Sequence, residues 1–277
     1  MYGQYDALRL MRGEGFNKPT IFMPWTGEYG VMLMYWIRFI HHTKAPHKIV
    51  CCKRGDEPYF PSADVYEYDW TDPVPDAERR GTGWHLAARR PMRRLRKQFL
   101  AKYPDHQPID AFRMPQRPWS IKFADYRFTL EPRERYGLKA DIVLGCRNRQ
   151  HGLDRNWQYW PQVADAIKLA GYSIGLVGNR DTSIDLPQAS VRAWDYGDNN
   201  ANANIELLRN CRLYVGTDTG TTHLASLCNI PMVIFRDPGP WECLSMVQQT
   251  TRGHCGYIDA WADPGLVIQS VLTFMRS

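Results

Sequence analysis

Residues 215–227 have the sequence Val215-Gly-Thr-Asp-Thr-Gly-Thr-Thr-His223-Leu-Ala-Ser-Leu227. The apolar run at 212–216 predicts a short strand, and the apolar residues after His223 recur at the spacing of one helix face. Because small polar residues separate the two runs, the sequence predicts a tight turn that leads from a strand directly into a helix.

This turn offers hydrogen-bond donors to an anion. A helix N-terminus carries unpaired N–H groups and partial positive charge, so its amides are candidates to hold a phosphate or diphosphate. These amides belong to Thr219, Gly220, Thr221 and Thr222. Gly220 permits close backbone approach, and a core histidine would be poorly placed at His223, in the first helical turn. A simpler alternative is that Asp218 or Thr219 caps an ordinary helix that binds nothing.

Length and composition indicate a globular protein, because 277 residues with 44% hydrophobic side chains can form one large or two ordinary domains. No apolar run approaches the roughly 20 residues that cross a bilayer, and the first residues lack the features of a signal peptide. We therefore expect a cytoplasmic protein. The seven cysteines lack zinc-ligand spacing and are expected to be reduced.

One basic cluster carries much of the net charge of +6. It consists of Arg89, Arg90, Arg93, Arg94, Arg96 and Lys97. Such a cluster could contact an anionic acceptor, an anionic lipid surface or nucleic acid, although a solvated helix face is the commoner explanation. Aromatic residues that would stack on bases are sparse within it, which makes nucleic acid the weaker alternative.

The first part of the chain begins as a βαβ unit. Strands are predicted at 19–24 and 48–52, with a Gly-containing turn at 25–30 and a helix at 31–40. Residues 73–140 show no strand series and predict irregular structure with one basic helix.

Regular alternation begins at residue 141. Strands are predicted at 141–146, 172–177, 212–216 and 231–235, and helices at 160–170, 201–210 and 262–275. This alternation implies a parallel sheet covered on both faces. We predict two Rossmann-like domains that face a cleft, a reduced N-terminal acceptor-side domain at 1–135 and a C-terminal nucleotide-binding domain at 136–277.

The arrangement resembles the GT-B glycosyltransferase fold, and its motifs are similar to those of the heptosyltransferase-like glycosyltransferases of family 9. That family has an aspartate-hydroxyl-glycine turn, then a histidine, then a strand that ends in Phe. Here the pattern is Asp218-Thr-Gly220-Thr-Thr-His223, followed by Ile230-Pro-Met-Val-Ile-Phe235. The resemblance also includes Asp154-Arg155-Asn-Trp157 and covers about a third of the chain, residues 141–236.

The resemblance implies inverting transfer of a sugar from a nucleotide sugar to an acceptor hydroxyl, with no metal or other cofactor. It implies that Glu28 is the catalytic base and that Arg155 approaches the donor phosphates. These residues replace the family's usual Asp and Lys, and Arg155 retains a permanent charge and a forked pair of donors. The expected partners are a nucleotide sugar and an acceptor glycan, lipid-linked glycan or other hydroxyl acceptor.

The expected donor-binding residues are grouped at two strand ends. They are Gly178, Asn179 and Asp181, where a carboxylate could accept a ribose hydroxyl, together with Asp218, Thr219, Gly220, Thr221, Thr222 and His223. The nearest approaches to a metal-binding carboxylate pair, Asp69 with Asp72 and Asp195 with Asp198, lie in turn-like sequence and are expected to be solvated.

Other functions stay open at this point. The chain could be a catalytically inactive nucleotide-binding or scaffold protein of the same fold, since its first domain is short and divergent. It could also be a nucleic-acid-associated protein that uses the basic cluster, or an epimerase, which would need no acceptor.

Overall fold

The computed structural model describes residues 16–26, 29–70, 84–110, 128–148, 156–235, 255–258 and 263–277. The chain divides into two compact units, Met1–Phe128 and Thr129–Ser277, and each contains its own parallel sheet. None of the helices within the described ranges combines the length and apolar character needed to span a membrane.

The first unit contains a four-stranded parallel sheet in the order β3-β2-β1-β4. Its elements are β1 (Thr20–Phe22), α1 (Tyr29–Val31), a π-helical segment (Met32–Trp36), α2 (Ile37–His42), β2 (Lys48–Cys51), β3 (Val65–Glu67), α3 (Trp84–Lys102) and β4 (Gln107–Ile109). The predicted strands and helices of this unit are confirmed, with bounds that differ by a few residues.

The basic helix α3 lies on this sheet through an apolar stripe. Met92, Leu95 and Phe99 are buried and belong to one cluster with Ile21 and Ile49 from the two central strands. Their spacing of three and four residues places them on the same helix face, so burial of that face fixes the helix on the sheet.

The strand β4 corrects the prediction of irregular structure around the basic helix. Gln107–Ile109 pairs in parallel with β1 and forms one edge of the sheet. Pro108 obscures the strand pattern in the sequence because proline has no N–H to donate to a neighbouring strand. An edge strand tolerates this loss because one of its sides has no partner strand in the sheet.

The second unit contains a six-stranded parallel sheet in the order β10-β9-β8-β5-β6-β7. Its elements are β5 (Ile142–Gly145), α4 (Trp160–Leu169), β6 (Ile174–Leu176), β7 (Val191–Arg192), α5 (Ala201–Arg209), β8 (Leu213–Gly216), α6 (Gly220–Leu227), β9 (Met232–Phe235), β10 (Cys255–Ile258) and α7 (Pro264–Arg276). The alternation predicted from residue 141 is confirmed, whereas β7 and β10 were not predicted.

The core of this unit includes a cluster of three aromatic rings. Trp157 and Trp160 are buried, and their ring centroids lie 4.4 and 5.3 Å from that of Phe235 at the end of β9. The tryptophans that follow Arg155 in the sequence therefore pack inside the domain, where they anchor the start of α4 against the sheet.

Candidate nucleotide-binding site

The strand order of the second unit defines a specific edge of the sheet. The chain leaves β5 to form β6 and β7 on one side and then crosses to form β8, β9 and β10 on the other side. The order reverses between β5 and β8, which are direct neighbours. In open α/β sheets, ligands bind outside the carboxyl ends of the strands at this point of reversal.

The two strands at this point both end in glycine. Gly145 of β5 and Gly216 of β8 are paired in the sheet. A Cβ atom at Gly145 would lie 2.1 Å from the hydroxyl oxygen of Tyr214, and one at Gly216 would lie 2.3 Å from it. Neither position has room for a side chain, because the Tyr214 side chain occupies that space.

The Tyr214 hydroxyl connects the sheet to the turn that precedes α6. It lies 3.0 Å from the Oγ1 atoms of both Thr221 and Thr222. The Oγ1 atoms of Thr219 and Thr221 are 2.9 Å apart, and the Thr222 hydroxyl donates to the Thr217 carbonyl. Burial raises the pKa of Tyr214 to about 12, so its hydroxyl stays neutral and remains available to this network.

The backbone of the turn leaves amides available at the start of α6. Thr219 is the N-cap residue of α6, and its carbonyl accepts hydrogen bonds from the amides of Thr222 at 3.1 Å and His223 at 3.3 Å. The Thr222 amide is therefore already bonded inside the turn. The amides of Thr219, Gly220 and Thr221 make no backbone hydrogen bond to any residue that the structure describes. They are the donors best placed for an anion.

The position of His223 differs from the sequence argument, which held that a core histidine would be poorly placed there. The residue is 5% exposed, and its Nε2 atom lies 3.5 Å from Oδ1 of Asp218. The reason is that α6 is buried on nearly all sides, including most of its first turn. His223 therefore contacts Asp218 from the interior, while Asp218 itself stays half-exposed at the turn.

The end of β6 lies beside the same turn. Gly178 has a φ of +123°, which favours glycine, and a Cβ atom there would lie 3.8 Å from Cγ2 of Thr221. Asn204 of α5 forms hydrogen bonds to the backbone of this glycine through both polar atoms of its side chain. Its Oδ1 accepts from the Gly178 N–H at 2.8 Å, and its Nδ2 donates to the Gly178 carbonyl at 3.3 Å.

Asn204 was missed by sequence reasoning. It is 5% exposed and lies in a helix in which all but the last residue are buried. A buried polar residue in such a helix needs a hydrogen-bond partner. The asparagines within 201–209 were therefore the feature of the sequence that could have indicated such a contact.

The remaining predicted residues at this strand end have separate roles. Asn179 accepts a hydrogen bond from the Thr182 amide at 3.1 Å and donates to Oδ1 of Asn199 at 2.9 Å, which shapes the loop. Asp181 is exposed in the short helical turn that follows. Asp195, considered above for a carboxylate pair, is ion-paired with Arg180 at 3.1 Å. Within the described ranges, no cluster of three or more His, Cys, Asp or Glu side chains could hold a metal ion.

Some predicted residues cannot be placed in the site. Glu28 and Arg155 lie outside the described residues, so their assignments remain predictions from the sequence. The backbones of Arg89 and Arg90 belong to α3, while their side chains are not described.

The second unit is an α/β domain. When its strands are numbered along the chain with β5 as the first, their order in the sheet is 3-2-1-4-5-6, which is the order of dinucleotide-binding Rossmann domains. Solved glycosyltransferases have a similar fold. One is ADP-heptose lps heptosyltransferase II of Escherichia coli, with a TM-score of 0.56 and 12% identity over 93% of this chain and 98% of that one. The α/β architecture with parallel sheets matches the GT-B heptosyltransferase structures.

Two further structures support the same fold. A family 9 glycosyltransferase from Veillonella parvula gives a TM-score of 0.52 at 14% identity, over 93% of this chain and 91% of that one. The iron-containing dodecameric glycosyltransferase TibC from enterotoxigenic E. coli gives 0.52 at 11% identity, over 95% and 77%. No protein-family model matches the sequence, and no curated protein matches it. The similarity to known proteins is therefore one of fold.

Proposed function

We propose that this protein is a glycosyltransferase that binds a nucleotide-sugar donor at the carboxyl ends of β5, β6 and β8. The observation that carries the proposal is the reversal of strand order between β5 and β8, at which paired glycines, the Tyr214 hydroxyl and the threonine turn come together. A turn of this kind at a helix N-terminus suits a diphosphate.

The donor diphosphate would bind the turn through few groups. The amides of Gly220 and Thr221 supply two hydrogen bonds, and the half-exposed Thr221 hydroxyl supplies a third. The nucleoside would extend towards Gly178 and Asp181, where the exposed Asp181 carboxylate can accept a ribose hydroxyl. Since the E. coli heptosyltransferase II is named for ADP-heptose, adenosine diphosphate sugars are the first donors to test.

The proposed reaction is a single displacement with inversion. The acceptor oxygen forms a bond to the anomeric carbon as the bond from that carbon to the diphosphate oxygen breaks. Glu28 takes the acceptor proton as general base. Arg155 and the turn amides stabilise the charge on the departing nucleoside diphosphate without a metal ion. The acceptor is a glycan, a lipid-linked glycan or another compound with a free hydroxyl.

Nucleotide binding tests the donor assignment. Thermal unfolding of the full chain with ADP, GDP, UDP, CMP and their sugar conjugates should show a selective shift, since a ligand at 100 times its Kd stabilises the folded state by about 2.7 kcal/mol. The shift should persist in EDTA. If every nucleotide leaves the Tm unchanged, the donor site is wrong.

Two variants test the catalytic assignments. Glu28→Gln should retain donor affinity and lose turnover, because it keeps the size of the side chain and removes its basicity. Arg155→Gln should raise the Kd for the nucleoside diphosphate, whereas Arg135→Gln, which removes an exposed arginine of the same unit, should not. Nucleotide binding without any sugar transfer would instead support the inactive binding or scaffold protein.

A further inference from the structure

We propose that the exposed face of α3 docks this protein onto a lipid bilayer that contains anionic headgroups. The proposal concerns the first unit alone and does not depend on the donor site. It is based on the distribution of charge, on the side chains that α3 exposes and on the ion pairs that α3 makes.

The charge of the chain is concentrated on this one helix. α3 contains seven of the 35 basic residues of the protein and no acidic residue. The remaining 28 basic residues are balanced by 29 acidic ones, so the rest of the chain has a formal charge of −1. The net charge of +6 is therefore a property of α3, and a polyanion would meet it there.

The geometry of α3 presents these cations on one side. Its apolar stripe, which includes Leu95 and Phe99, is buried against the sheet. Arg93, Arg94 and Lys97 are exposed. Arg93 and Lys97 are four residues apart and share one face of the helix, and that face points away from the buried stripe.

The exposed cations Arg93, Arg94 and Lys97 of α3 are not ion-paired with any residue that the structure describes. Lys102, in the last turn of α3, instead pairs with the buried Glu67 at 2.7 Å. Like charges four residues apart on a helix repel one another, so an anionic partner would relieve a repulsion that α3 carries in isolation.

An exposed leucine favours a bilayer over nucleic acid. Leu100 is 36% exposed and lies three residues after Lys97 and seven after Arg93, on the same helix face. An apolar residue among cations matches helices that lie in the membrane interface, where the leucine enters the acyl boundary. Base stacking would need an exposed ring, and Phe99, the aromatic residue among the described side chains of α3, is 2% exposed.

Flotation of the full chain with vesicles tests the proposal. The protein should bind vesicles of phosphatidylcholine mixed with phosphatidylglycerol, and added salt should weaken the binding. Vesicles of phosphatidylcholine alone should not bind it. The triple variant Arg93→Gln/Arg94→Gln/Lys97→Gln should lower the partition coefficient by about a hundred-fold, at about five-fold for each cation lost.

The control variant is Lys44→Gln/Lys139→Gln/Lys168→Gln. It removes the same charge from three exposed lysines outside α3 and should bind the mixed vesicles as the wild type does. Leu100→Gln keeps every charge and should still weaken binding. Equal binding to both vesicle types, equal loss in the two triple variants, or tight duplex DNA binding that Leu100→Gln leaves unchanged would each overturn the proposal.

Discussion

The hydroxyl of Tyr214, on β8, lies 3.0 Å from Oγ1 of Thr221 in the first turn of α6. This contact joins the end of a central strand to the helix start that we assign to the donor phosphates. Thr221 also approaches Gly178 at the end of β6, since a Cβ atom there would lie 3.8 Å from its methyl carbon. One threonine therefore contacts Tyr214 of β8 and lies close to the glycine that follows β6.

Removal of the Tyr214 hydroxyl should weaken nucleotide binding. Tyr214→Phe keeps the ring but loses the hydrogen bonds to Thr221 and Thr222, which costs about 1 kcal/mol of stability for each. We expect the Kd for the bound nucleotide to rise by about ten-fold, because the turn is no longer held in place. Calorimetric titration measures this change. Tyr66→Phe is the control, since it removes a hydroxyl that donates to Phe60 at 2.8 Å in the other unit and should leave the Kd unchanged.

Substitution of Gly145 should disrupt the same contact by crowding. The new Cβ atom in Gly145→Ala would lie 2.1 Å from the Tyr214 hydroxyl and 2.9 Å from Oγ1 of Thr221. Overpacking of this kind costs about 1–3 kcal/mol. Urea unfolding should show that loss in the wild-type background and a smaller one in a Tyr214→Leu background. Equal losses in the two backgrounds would mean that Tyr214 is not what excludes a side chain at Gly145.

Substitutions at two asparagines of α5 should distinguish an effect on stability alone from an effect on nucleotide binding. Asn204→Leu leaves the Gly178 amide without its partner, at a cost of about 1–3 kcal/mol, and should also weaken nucleotide binding. Asn202→Leu removes an Oδ1 atom that accepts from the amides of Arg133 at 2.7 Å and Glu134 at 3.1 Å. It should cost similar stability and leave nucleotide affinity unchanged. An equal fall in affinity in both variants would argue against a specific role for the end of β6.

The buried Glu67 should make stability depend on pH in acid. Burial alone would raise the pKa of its carboxyl, but hydrogen bonds from Lys102, Tyr103 and the Asp69 amide outweigh it, and the pKa lies below its ordinary value. A carboxyl whose pKa is lower in the folded state stabilises the protein above the unfolded value of about 4.3. That stability is lost as the pH falls through the folded-state pKa.

Glu67→Gln provides the comparison. It cannot ionise, so the wild type should have the higher Tm at neutral pH, and the difference should shrink as the pH falls below about 4. Thermal unfolding of both proteins across this range measures the change. A Tm difference that is constant with pH would show that the Glu67 carboxyl is not stabilised in its charged form.

The short edge strands could not be predicted from the sequence. Residues 141–146 and 231–235 alternate with helical segments clearly enough that the sequence predicts the parallel sheet of the second unit. The strand β4 contains Pro108, and β7 has two residues, so neither has a periodic pattern. Both are edge strands, and their pairing depends on neighbours that are distant in sequence.

The sequence by itself determined the α/β class, the helix and strand series from residue 141 and the turn that begins at Asp218, because these features depend on residues close together in the chain. The tertiary structure decided which groups meet at that turn. The Tyr214 side chain lies over Gly145 and Gly216. The Gly178 amide donates a hydrogen bond to Asn204, and His223 is buried. Such contacts depend on strand order and packing, which bring together residues that are far apart in the sequence and that no local pattern marks.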